Sequence, residues 1–227
     1  MNKRFLSLLI CLMMVLTLLP AAPARALPAA GDWVTVPGIE GGQICFDNGT
    51  ITAADTTITQ AHIPPTINGT PVTTIGVRAF AFAAQLTRVT MPNTVTSIEQ
   101  EAFYGCAALR SITFSTALQS IGAAVFIGCT ALVSVTLPAA LRVIGDPRAN
   151  ELYNHFNECS ALTAINVDAS NPKFTSIDGV LFNKDCTWLI AYPRARAGAY
   201  TIPDTVKTIG NLAFWNCGGL TGITIPN

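Results

Sequence analysis

Apolar side chains return along this chain at a fixed interval. Ile75, Ile98, Ile121 and Ile144 stand 23 residues apart, and Phe80, Phe103 and Phe126 follow the first three in step. Cys106, Cys129, Cys159 and Cys217 each fall three positions after a Phe, and Leu86, Leu109, Leu132, Leu162 and Leu220 fall six after one. A unit this short cannot bury its apolar face alone, so the period predicts a solenoid of about six stacked coils.

Within one unit, Ile112 and Phe114 alternate with Ser111 and Thr113, the two-residue period of a half-buried strand. A second short alternation follows at Leu118–Ile121, and Gly122 lets the chain turn. Residues Ala123–Cys129 are then predicted to form a short helical turn that drops Phe126 into the core. Three departures from the period predict local elaborations. Asn68-Gly69 marks a small hairpin on the first coil. Asp146-Pro147 offers a cap and first residue for a longer helix through Tyr153. Asp178-Gly179, between alternating apolar runs, predicts a hairpin or three-strand meander inserted at residues 171–193.

The composite pattern LxxIxIP…VxxIGxxAFxxCxx resembles the BspA-type leucine-rich repeat of bacterial surface proteins. It is carried by Leu86–Pro92, Ile98–Cys106 and Ile209–Cys217, and the resemblance extends over residues 58–227. It implies an α/β fold: a right-handed, β-rich leucine-rich-repeat solenoid with short helical turns and 23-residue repeats. It further implies export or surface display, with some members acting as adhesins toward host matrix proteins or other cells, and it makes the segment after Asp178-Gly179 a family feature.

Composition places this solenoid outside the cell. Lys3 and Arg4 precede an apolar run from Phe5 to Leu19 and an Ala24-x-Ala26 cleavage pattern, so residues 1–26 read as a secretory signal peptide. The run is too short for a typical spanning helix, so no stable membrane insertion is expected after cleavage. Residues 27–57 are expected to form a leader and a capping hairpin, and residues 58–227 the solenoid. The solenoid is expected to continue beyond Asn227, since the strand ending there would leave an apolar edge uncovered. Removing the signal peptide leaves 10 basic and 13 acidic residues, which implies no nucleic-acid partner. Four of the six remaining cysteines share one repeat position and are expected to be buried free thiols; the pairing of Cys45 and Cys186 stays open.

Candidate chemistry is sparse. No nucleophile motif or phosphate loop surrounds the two histidines, His62 and His155, so no catalytic residue, metal or cofactor is assigned. The best polar cluster is Asp146, Glu151, His155 and Glu158, which fits either a metal or acid–base site or a solvated helix with one ion pair. More specific to the fold is an outward ladder of His62, Thr90, Thr113, Thr136, Asn166, Thr201 and Thr224. Small residues run beside it, with a basic end near Arg88, Arg110 and Arg142. It reads as a docking strip for an extended peptide or glycan, or simply as Thr chosen for its β propensity. Trp188 and Tyr192, expected to share one strand face near Tyr200, Arg194 and Arg196, read as a contact platform or as packing for the hairpin. The function expected is a non-enzymatic binding module whose partners are extracellular or host-surface proteins or glycans, engaged through Arg88, Thr90, Arg110, Thr113, Thr136, Trp188 and Tyr192. The alternative is a structural stalk within a larger surface protein, with an enzyme-associated module as a distant third.

Overall fold

The computed structural model describes residues 33–145 and 155–226. Among them the chain runs as short strands joined by turns, and parallel strands one repeat apart stack in register. One ladder of seven strands passes through Thr74–Ile75, Ser97–Ile98, Ser120–Ile121 and Val143–Ile144. A second joins Ile39–Glu40, Gln60–His62, Arg88–Thr90 and Ser111–Thr113. Each coil therefore contributes one strand to each wall, and the core lies between.

The segments expected as short helical turns are tight turns, and no helix occurs among the described residues. Their backbone bonding shows why. In a helix every N–H points along the axis to a carbonyl of its own turn. Here only alternate groups do so: Ala79 N–H donates to Gly76 O (3.1 Å) and Ala81 N–H to Arg78 O (3.0 Å). The others reach sideways into the next coil, from Arg78 to Gln100 O (3.0 Å), Phe80 to Ala102 O (2.8 Å) and Phe82 to Tyr104 O (2.7 Å). Left-handed residues on either side of the Phe, such as Arg78 (φ 55°) and Phe82 (φ 62°), produce this alternation. At the next coil the second of these positions is Gly105 (φ 70°), where a Cβ would stand 2.9 Å from the Phe82 ring.

A spine of phenylalanines fills the core. Phe80 and Phe103 stack at 5.3 Å between ring centroids, Phe103 and Phe126 at 6.0 Å, and Phe126 and Phe156 at 5.6 Å. The repeated cysteines run beside it, each thiol donating to the carbonyl of the preceding Phe: Cys106 to Phe80 O (3.1 Å), Cys129 to Phe103 O (3.3 Å) and Cys159 to Phe126 O (3.1 Å). Each of these carbonyls also accepts a backbone N–H from its own turn, so the thiol adds a second donor that a small apolar residue filling the same space would lack. Cys106, Cys129, Cys159, Cys186 and Cys217 are free thiols, so Cys186 is not paired with Cys45. Burial pushes the Cys106 thiol up to about 12 and those of Cys129 and Cys159 higher still, so the reactive thiolate is scarce there. In the native protein, a thiol reagent is expected to label the half-buried Cys186 and Cys217 first and the four buried cysteines only on unfolding. Mass mapping of the adducts checks this.

Two insertions leave the regular coil. Thr66–Ile67 and Thr70–Pro71 pair antiparallel around Asn68 and Gly69, both with positive φ. Phe174–Ile177, Val180–Asn183 and Trp188–Ala191 form an antiparallel set around Asp178-Gly179, and the last strand resumes parallel pairing with Thr208–Ile209. Asn171 anchors this set. Its fully buried side chain donates to Pro138 O (2.8 Å) and Leu141 O (3.1 Å) and accepts from Lys173 N–H (2.8 Å) and Phe174 N–H (2.9 Å). Beyond it a smaller core gathers around Phe182, Leu189, Tyr192 and Tyr200, and in the last described coil Ile209, Leu212, Ile223 and Ile225 are exposed. The helix expected through Tyr153 lies outside the described residues.

Candidate binding face

The outward ladder is built by the register of the second wall. His62, Thr90 and Thr113 stand directly opposite one another across three strands, as do Gln60, Arg88 and Ser111. Thr136 faces Asn166, and Ser134 faces Ala164, on the next paired strands. His62, Arg88, Arg110, Thr113, Thr136 and Asn166 are exposed; Thr90 is half-buried, its hydroxyl 2.6 Å from His62 Nδ1. Thr201 and Thr224 form a separate pair beyond the inserted strands. Arg142 does not join Arg88 and Arg110. It precedes Val143–Ile144 on the other wall, where its guanidinium donates to Ala139 O (2.9 Å).

The wall is interrupted once within this strip. Ser111–Thr113 and Ser134–Leu137 belong to different sheets, and a groove of about 440 Å³ lies over the junction, with Arg110 and Asp168 among its lining residues. The Asp168 carboxylate accepts from the backbone N–H and hydroxyl of Ser170, which hold it below the usual carboxylate range.

The two aromatic residues do not form one platform. Trp188 is half-buried against the main core, whereas Tyr192 is only 2% exposed and packs with Tyr200 (5.0 Å) and Phe214 (5.1 Å) in the smaller one. Their strand lies between two cores, with Leu189 turned to one and Ile190 and Ala191 to the other. The alternation slips after Ile190, which sends Tyr192 to the opposite side from Trp188. The Arg196 guanidinium lies over the rings of both Tyr192 (5.9 Å) and Tyr200 (5.5 Å), occupied by packing.

The BspA-type leucine-rich repeat region matches this sequence in six copies, over residues 54–187 and 194–227. The chain belongs to the BspA-type leucine-rich-repeat family. Among solved structures it is similar to the pneumococcal vaccine antigen PcpA, at 26% identity over 81% of this chain and 46% of that one, with a TM-score of 0.64. It is also similar to a leucine-rich repeat protein from Eubacterium ventriosum, at 25% identity over 86% of this chain and 59% of that one, with a TM-score of 0.55. The chain thus spans only about half the length of these two proteins. No curated protein matches it.

The BspA-type repeat explains a residue that sequence reasoning misplaced. His155 was expected on a solvated helix beside Glu151, yet it is 3% exposed. It occupies the position before the repeat Phe, where other coils bury Ala79, Ala102, Val125 and Ala213. That register was the available signal. His155 Nδ1 accepts from Ala124 N–H (3.2 Å), and Nε2 lies against Gly145, where a Cβ would stand 2.9 Å away. Glu158 is exposed, while Asp146 and Glu151 lie outside the described residues. No group of three or more metal-ligating side chains assembles among the described residues.

Burial lowers the His155 pKa to about 4. The unfolded chain takes up its proton near pH 6.5, before the native state does. Stability is therefore fully present above about pH 6.5 and is lost as the pH falls toward 4, by up to about 3 kcal/mol. Melting temperatures across that window should fall for the native protein and stay flatter for His155→Gln. Equal slopes would remove His155 as the cause.

Proposed function

We propose that this protein is an exported or surface-displayed, non-enzymatic binding module of adhesin type, holding extracellular proteins or glycans along the outward ladder of its second wall. The observation that carries this reading is the row of exposed polar groups that stands in register from His62 and Arg88 to Thr113, and again from Thr136 to Asn166. Such a surface offers many weak contacts in a fixed geometry. Membership in a family of bacterial surface repeats, and the likeness to a vaccine antigen, fit an outward-facing location. The family is typically non-enzymatic. Tyr192 is too buried to serve as a contact, so the ladder takes precedence over the aromatic cluster.

Binding of the purified protein to arrays of matrix proteins and glycans tests this. Saturable binding that weakens in Arg88→Glu and in Thr113→Glu, at unchanged melting temperature, supports it. A folded, monomeric sample that binds nothing would instead support a structural stalk.

A further inference from the structure

Among the described residues three hairpin turns set an Asn or Asp directly before a glycine: Asn48-Gly49, Asn68-Gly69 and Asp178-Gly179, all with positive φ. Two of them are pressed against a neighbouring coil. Gly49 is buried and its carbonyl accepts Thr73 N–H (2.8 Å) and Thr74 N–H (3.1 Å); a Cβ there would stand 3.0 Å from Thr73 Oγ1. Gly179 is likewise buried, its carbonyl accepts Ile165 N–H (2.8 Å), and a Cβ would stand 2.9 Å from that of Ala164. The third turn stands clear of the coils. Asn68 and Gly69 are exposed, neither the Asn68 side chain nor the Gly69 N–H is hydrogen-bonded among the described residues, and a Cβ on Gly69 would meet open space.

An asparagine before a glycine carries an electrophile beside a nucleophile. The Gly69 nitrogen, once it has given its proton to solvent base, attacks Asn68 Cγ. The Cγ–Nδ2 bond then breaks, the nitrogen leaves as ammonia after taking a proton from solvent, and a succinimide ring remains. Water adds to either ring carbonyl and opens it to aspartate or to isoaspartate, whose backbone runs through Cβ. The missing Cβ of Gly69 leaves its nitrogen open to this approach, and the two groups react as an intramolecular pair. Ring closure swings that nitrogen toward the Asn68 side chain and out of hairpin geometry, so the rate follows local opening of the turn. Thr66–Ile67 and Thr70–Pro71 are two residues long, against four or five in the strands of the other two hairpins. The Asn68 turn can open alone, whereas the Asn48 turn opens only by releasing Thr73 and Thr74.

We propose that Asn68 is a site of spontaneous deamidation in the folded protein, and that Asn48, in the same Asn-Gly-Thr tripeptide, is protected by the coil packed over Gly49. The product sets a new carboxylate on an exposed turn. Its isoaspartyl form also adds one backbone atom to a loop whose length fixes the strand register, so the pairing of Thr66–Ile67 with Thr70–Pro71 loosens. The modification is independent of any partner on the outward ladder.

The test incubates the purified protein in mildly alkaline buffer and follows both asparagines by peptide mass mapping with tandem fragmentation, isoaspartate being scored with an isoaspartyl methyltransferase. Asn68 is expected to convert about ten-fold faster than Asn48 or more, the worth of the backbone hydrogen bonds that clamp Gly49. In denaturant the two identical tripeptides are expected to convert at similar rates, which assigns the native difference to the fold. Conversion of Asn68 should slow in mildly acidic buffer, where the attacking nitrogen keeps its proton, and Asn68→Gln, which would have to close a larger ring, should stay unconverted. Equal rates at Asn48 and Asn68 in the folded protein would overturn the proposal. So would an Asn68 that converts only in denaturant, or a rate ratio that denaturant leaves unchanged.

Discussion

Phe103→Ala is expected to cost about 3–5 kcal/mol and to lower the melting temperature by about 10 °C or more. Phe103 is fully buried and stacks with Phe80 on one side and Phe126 on the other, so its removal opens a void that two neighbouring coils share. A solenoid holds together through nearest-neighbour interfaces, and a loss at one coil weakens two of them. The internal comparison is Phe214→Ala. That ring is only half-buried, in the last described coil, and its removal is expected to cost clearly less. Denaturant unfolding of the two variants decides the matter. Equal, small losses would mean that the stacked rings do not form the continuous core argued here.

Asn171→Ala is expected to cost about 3 kcal/mol, although it removes only a short polar side chain. The side chain bonds two carbonyls of the Pro138–Leu141 turn and two N–H groups at the entry to the inserted strands. Truncation removes all four bonds at a site closed to solvent: Pro138 O keeps the Leu141 N–H (3.2 Å) and Leu141 O the Arg142 guanidinium (3.3 Å), while the Lys173 and Phe174 N–H groups lose their Asn171 acceptor. The damage should be local as well as global. Hydrogen exchange is expected to speed up across Phe174–Asn183 while the Thr74–Ile75 and Ser97–Ile98 ladder stays protected. Unchanged exchange in the inserted strands would show that Asn171 does not anchor them.

Much of this architecture is legible in one dimension because each coil repeats the same solution. The 23-residue return of Ile, Phe and Cys places Phe80, Phe103, Phe126 and Phe156 on one spine, and the thiols beside them, without reference to any other part of the chain. The outward ladder follows from strand alternation and appears where the sequence places it, from His62 to Asn166. The arms read as short helices because Ala123–Cys129 has helix-compatible residues. They are not helical because alternate N–H groups find carbonyls in the next coil, a partner no local propensity can register. His155 was misassigned for a related reason: its spacing from Glu151 suggested a helix face, while its repeat position decided its burial.

What the sequence determined by itself was therefore the solenoid, the core positions, the side of each strand that meets solvent, and the turn chemistry of Asn68-Gly69 and Asp178-Gly179, while the backbone of the recurring arms needed the next coil to fix it. Tertiary structure alone decided what happens once. It put Trp188 and Tyr192 into different cores, removed Arg142 from the basic end, made Asn171 a four-bond anchor, and left the strands of Thr113 and Thr136 in separate sheets. The physical reason is that a period encodes contacts between equivalent positions of adjacent coils. A single buried side chain such as Asn171, or a strand caught between two cores, acts through contacts that have no equivalent elsewhere among the described coils.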